Sequence, residues 1–196
     1  MIGRVALLVT FKKAKPKSQS LSRSHIRDLA GMQKMTTKTV KYKEWTFEVE
    51  HGRTKEIYDK VEFGSPEGCG CNDCENFATN RENIYPDEIK NLLSEFGIDY
   101  KKESEIYHMA RLETGLHHYG GWFHFKGKII EGKDCKIDLG GGGSTFDTAK
   151  VVDNFEIAFM KGSDLTFFDK EEKDNLIQIE FIADSEWVLD KEIESE

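Results

Sequence analysis

The sequence predicts an α+β domain, with an antiparallel sheet of about five to seven strands and a short helix pair packed on one side. Three observations carry that expectation. Apolar and polar residues alternate over "KEWTFEVEH" near the start, and again from Glu103 towards the end. Between these stretches lies a segment with apolar residues at helical spacing, a proline at its head and a glycine behind it. Strands grouped around a helix block, rather than alternating with helices, favour antiparallel pairing over a βαβ plan.

The elements follow in order. Trp45, Phe47 and Val49 alternate against polar neighbours, a half-buried strand, and "IYDKVEF" reads as a second, poorer strand. Gly64, Ser65, Pro66 and Gly68 make a turn. Asn72 or Asp73 then caps a short helix carrying Cys74, Phe77 and Ile84 inward. Pro86 is placed at the first position of the next helix, where Asp87 and Glu88 suit its dipole. Ile89, Leu92, Leu93 and Phe96 form that helix's buried stripe, and Gly97 ends it. After Glu103, "EIYHMARLE" sets Ile106, His108, Ala110 and Leu112 against Tyr107, Met109 and Arg111. "GLHHYGGWFHFKGKII" places Phe123, Phe125 and Ile129 opposite Trp122, His124 and Lys126. "NFEIAFM", "LTFFD" and "NLIQIEFIA" follow as strands, the last with Ile177, Ile179 and Phe181 facing in.

Composition bounds the classes. The chain has 196 residues, 38% hydrophobic and 33% charged, enough for one buried core. No apolar run approaches the ~18–20 residues of a membrane span. Charge is divided unevenly. Residues 1–34 hold eight Lys or Arg against Asp28 alone, while residues 35–196 hold 20 basic and 35 acidic side chains. The reading is a basic flexible leader or start-site extension over 1–34 and a single α+β domain over 35–196. The leader lacks interleaved aromatics and the acidic body repels phosphates, which weighs against a nucleic-acid partner. With "VALLV" too short for a secretory core, the expected location is cytoplasmic. A homo-oligomer is compatible with all of this.

Cys69, Cys71 and Cys74 fall within six positions, and no export signal accompanies them. In a reducing compartment such thiols are metal ligands or free thiols more often than disulfides. Cys-x-Cys-x-x-Cys lets three sulfurs converge on one ion, with the fourth ligand from His117, His118, His124 or Cys135. Zn²⁺ is the cofactor expected, with His117 and His124 the leading partners because their segment could fold back over the helices. Cys71-x-x-Cys74 at a helix start also suits redox work, but a thioredoxin-like site needs a buried strand before it, and "GSPEGCG" is a loop. Against both stands the plain reading, free thiols with Cys74 inward and Cys69 and Cys71 in a turn, which outweighs either one.

Two further patterns bear on function. His117, His118, Tyr119, Trp122 and His124 gather around Gly120-Gly121, either as a ligand pocket with Trp122 as a stacking platform or as a kinked strand with rings packed on its faces. "KIDLGGGGSTFD" (136–147) resembles the phosphate-binding turn of actin-like ATPases, but the inserted Ser144 breaks that spacing, no second phosphate motif is present, and no nucleotide is expected.

Cys71-x-x-Cys74-x-Asn76-Phe77, "GIDY", "GLHHYGGWFHFKGK", "QIEF" and "WVLD" together resemble a family of small uncharacterised bacterial cytosolic proteins, over about residues 45–190. That resemblance implies a shared fold and carries no activity with it. The expected function is a binding or structural protein with a zinc held by Cys69, Cys71, Cys74 and a histidine. The alternative is an enzyme with the His/Tyr/Trp pocket near 117–124, drawing on a thiolate. With no nucleophile–base order and no singled-out carboxylate pair, the balance leans away from an enzyme.

Overall fold

The computed structural model describes residues 36–162 and 165–195; the basic leader lies outside them. The chain starts its sheet with a hairpin, β1 (Lys38–Tyr42) and β2 (Trp45–Val49), reversed at Lys43 with a left-handed φ of 48°. Only Val40 and Tyr42 of β1 are buried, so its sequence carries too little alternation to announce it.

"IYDKVEF", expected as a strand, is instead the end of helix α1 (His51–Lys60) and the turn after it. Thr54, Ile57 and Tyr58 are its buried residues, and their spacing is helical rather than alternating. The helix has a use that explains it. The long strand β4 (His117–Glu131) takes β2 beside its second half and β3 (Glu105–Arg111) beside its first. Between them α1 covers the open edge: the Lys126 N–H donates to Thr54 Oγ1 at 3.0 Å and the His124 N–H to the Tyr58 hydroxyl at 3.1 Å. That hydroxyl in turn donates to the His124 carbonyl at 3.1 Å, so side chains one helical turn apart replace a missing strand.

Three more helices follow: α2 (Ser65–Cys69), α3 (Asn72–Ile84) and α4 (Asp87–Phe96). Pro86 caps α4 rather than opening it, and Gly97 closes it with a φ of 86°. The expected stripe of Ile89, Leu92, Leu93 and Phe96 is buried. Beyond β4 come the exposed hairpin β5 (Lys136–Gly140) and β6 (Gly143–Phe146), then β7 (Ala149–Val152), β8 (Phe155–Lys161) and β9 (Leu176–Ser185). The sheet is antiparallel and seven-stranded, in the order β1-β2-β4-β9-β8-β7 with β3 on β4. Residues 165–169, expected as the strand "LTFFD", bend instead, with Leu165 left-handed at φ 42°.

Helices and sheet meet through aromatic rings. Phe96 stacks on Phe125 at 4.3 Å, Phe77 on Phe181 at 6.2 Å, and Tyr85 meets Phe123, Phe155 and Phe181 edge-on or tilted. Each such ring removed from water contributes about 1.5–3 kcal/mol. No helix among the described residues is long and apolar enough to cross a membrane.

Candidate metal centre

The cysteine turn is built by two helix ends facing each other. α2 carries Pro66 in its first turn and stops at Cys69, because Gly70 takes a left-handed φ of 73° and reverses the chain. Cys71 is then the N-cap of α3, and Cys74 sits on that helix's first turn. The three sulfurs lie within 4.8 Å of one another, with Cys69 Sγ 3.3 Å from Cys71 Sγ. Zn–S bonds of about 2.3 Å in a tetrahedron require sulfurs about 3.8 Å apart, so small side-chain rotations close the set on one ion. Cys74 is buried while Cys69 and Cys71 are exposed, and all three are free thiols. A cleft of about 420 Å³ opens beside them, lined by Cys71, Glu75 and Glu67 among others.

Electrostatics differ across the three. The backbone N–H of Cys71, then the Cys71 and Cys74 thiols, lower the pKa of Cys69. Burial first, and then the neighbouring sulfurs, push Cys74 up. Cys69 is thus more readily ionised than Cys74.

A five-residue helix such as α2 has no intrinsic stability and must be held in place. Arg81 of α3 does this. Its two terminal nitrogens donate to the two Glu67 carboxylate oxygens at 2.7 and 2.9 Å, and Nε donates to Glu103 Oε1 at 2.9 Å. Glu103 is fully buried; it also accepts from the Tyr85 hydroxyl at 2.9 Å, and its backbone carbonyl accepts from the Ser65 N–H. Burial raises the Glu103 carboxyl to about 7 in spite of Arg81. The Arg81 fork thus fixes Cys69 relative to Cys71 and Cys74.

His117 does not join the sulfurs. It forms a second donor group with Asp73 and His108, one ligating atom from each lying within 4.8 Å of the others. His117 Nδ1 faces His108 Nε2 at 3.0 Å, and His108 Nδ1 stands 3.6 Å from Asp73 Oδ1. Sequence reading missed His108 and Asp73 for a definite reason. β3 bulges between His108 and Ala110, so that His108 lies opposite Tyr119, whose ring faces the helices. In the plain alternation expected for "EIYHMARLE", His108 and Ala110 share a face. The bulge separates them, leaving Ala110 exposed and aiming His108 at His117. Burial lowers the pKa of His108, which keeps its imidazole neutral.

The remaining expected site residues are scattered. His117 and Tyr119 point to one face of β4 and His118, Trp122 and His124 to the other, because β4 pairs with β9 in unbroken register. His118 is paired with Asp184 at 2.6 Å, and His124 Nδ1 meets Ser104 Oγ at 3.4 Å. Trp122 Nε1 donates to the Leu165 carbonyl, and Tyr119 bonds Asn76 and the Asp73 carbonyl inside the core. A Cβ at Gly120 would fall 2.3 Å from the Tyr107 ring, and one at Gly121 2.6 Å from Ile106. The glycine pair therefore admits neighbouring side chains rather than a ligand, and the five rings do not share one cavity. Cys135 is buried against β8, where its N–H donates to the Phe159 carbonyl, and is not part of the sulfur group. The glycine run forms the tip of the exposed β5–β6 hairpin. Comparison with family models, with curated proteins and with solved structures gives no match to this chain.

Proposed function

We propose that the protein binds a thiophilic divalent cation, Zn²⁺ by preference, through Cys69, Cys71 and Cys74. The observation that carries this reading is the convergence of three sulfurs from two helix ends, braced by a buried Arg81–Glu103 pair. Thiolates select Zn²⁺ over Mg²⁺ or Ca²⁺, which require oxygen donors. The fourth position of the ion is not supplied by His117 or His124, whose ring atoms have other neighbours. It faces the cleft beside Cys71, where a water, Glu75 or a donor from another molecule completes the tetrahedron. The protein therefore acts by binding, with the metal presented at its surface.

The test is reconstitution of anaerobically purified protein with Zn²⁺, followed by thiol titration before and after adding a chelator. About three thiols per chain should become reactive on chelation, together with release of one zinc. Cys71→Ser should abolish that coupled release. Thiols that react at ordinary rates in the presence of zinc, unaffected by the chelator, would overturn the reading.

A further inference from the structure

Asp73, His108 and His117 bring two imidazoles and a carboxylate together under the end of the described chain. Two imidazoles present nitrogens to each other at 3.0 Å, close to the separation of two nitrogens that share an ion with M–N bonds of about 2.0–2.1 Å. The His117 ring is backed at its far nitrogen by Glu194, 3.1 Å from Nε2, and Asp73 Oδ1 stands 3.6 Å from His108 Nδ1 as a donor in its own right. A carboxylate on the nitrogen that does not ligate is the usual second shell of a metal-bound histidine, fixing its tautomer and orientation. The site is roofed by the end of the described chain. Trp187 lies on His117 with ring centroids 4.9 Å apart, Glu194 is held by Arg111 Nε at 2.9 Å, and Ser195 bonds Asp73. The Asn72 side chain ties the same segment down through the Ile193 carbonyl at 3.1 Å.

We infer that Asp73, His108 and His117 form a second divalent-cation site, selective for borderline metals of the Zn²⁺ and Co²⁺ kind, closed by the segment from Trp187 to Ser195. Two imidazoles and one carboxylate suit such ions, and leave coordination positions for water. Asp73 swings from Ser195 to the metal, and Glu194 acts as a positioning residue for the His117 ring. This site is independent of the sulfur group: it uses no thiol and is expected in protein that has none of the three.

The test uses full-length protein carrying Cys69→Ser, Cys71→Ser and Cys74→Ser, with Co²⁺ as the probe. One equivalent should bind, giving the visible absorption of nitrogen- and oxygen-ligated Co²⁺ without a sulfur charge-transfer band. Adding His108→Gln should weaken that binding by about 100-fold or more, as loss of a direct ligand does. Adding Glu194→Gln instead should weaken it about 10–100-fold, as loss of an outer-shell partner does. His108 is chosen over the fully buried His117 because its replacement disturbs the core less, and thermal unfolding verifies that each variant is folded. Absence of Co²⁺ binding in the folded cysteine-free protein, or binding unchanged by His108→Gln, would overturn the inference while leaving the sulfur site untouched.

Discussion

Asp73 and Cys74 are neighbours on the first turn of α3, yet they belong to donor groups of opposite character. Cys74 joins two exposed thiols whose contacts are mostly with one another. Asp73 joins two histidines already surrounded by Glu194, Ser195 and Trp187. The difference teaches where metal dependence should reside. Thiols without other strong partners gain most from an ion, whereas the histidine group contributes to stability even when empty, because His117 is itself fully buried and links His108 to Glu194.

The largest effect should come from the brace beneath the sulfurs. Arg81→Ala leaves the Glu103 carboxylate buried and unpaired, and should cost about 3–5 kcal/mol in denaturant unfolding. It should also weaken zinc binding, since α2 loses its anchor. His117→Ala comes next: metal-free protein should lose about 1–3 kcal/mol, because the fully buried ring leaves a cavity and two hydrogen bonds are lost. Cys71→Ser should change metal-free stability by less than about 0.5 kcal/mol, as an exposed substitution does, while removing the zinc-dependent rise in melting temperature. An equal effect of Cys71→Ser and His117→Ala on metal-free stability would erase the distinction between the two groups.

A pH series sharpens the role of the brace. Glu103 has a folded value of about 7 against an ordinary 4.5, so the folded state holds its proton more tightly than the unfolded chain does. The stability from that proton is present in full below about pH 4.5 and is lost as pH rises through about 7. Relative to Glu103→Gln, which cannot titrate, the wild-type urea midpoint should therefore fall as pH rises from about 5 to about 8, and the two should lie nearest at the acid end, where the protonated carboxyl resembles the amide. A constant offset between the two across that range would place the titration elsewhere.

Much of the fold was legible in the sequence because period and punctuation agree with burial. The α4 stripe between Pro86 and Gly97 and the alternation of Ile177, Ile179 and Phe181 in β9 are recovered as read. What failed has a common cause. "IYDKVEF" reads as a strand because the helical spacing of α1 is short, and Thr54 and Tyr58 are fixed by the edge of β4, which no local window contains. The sulfur group was legible because its three thiols lie within six residues. The histidine group was not, because it depends on a bulge in β3 and on a segment some 80 residues beyond it. His117, expected beside the sulfurs, stands instead with His108 and Asp73.

If three sulfurs of one turn hold one ion, X-ray absorption at the zinc edge of protein loaded with a single equivalent should reveal them. The account predicts a shell of three sulfurs at about 2.3 Å and one lighter ligand. A first shell made of nitrogen and oxygen, or one containing fewer than three sulfurs, would contradict it.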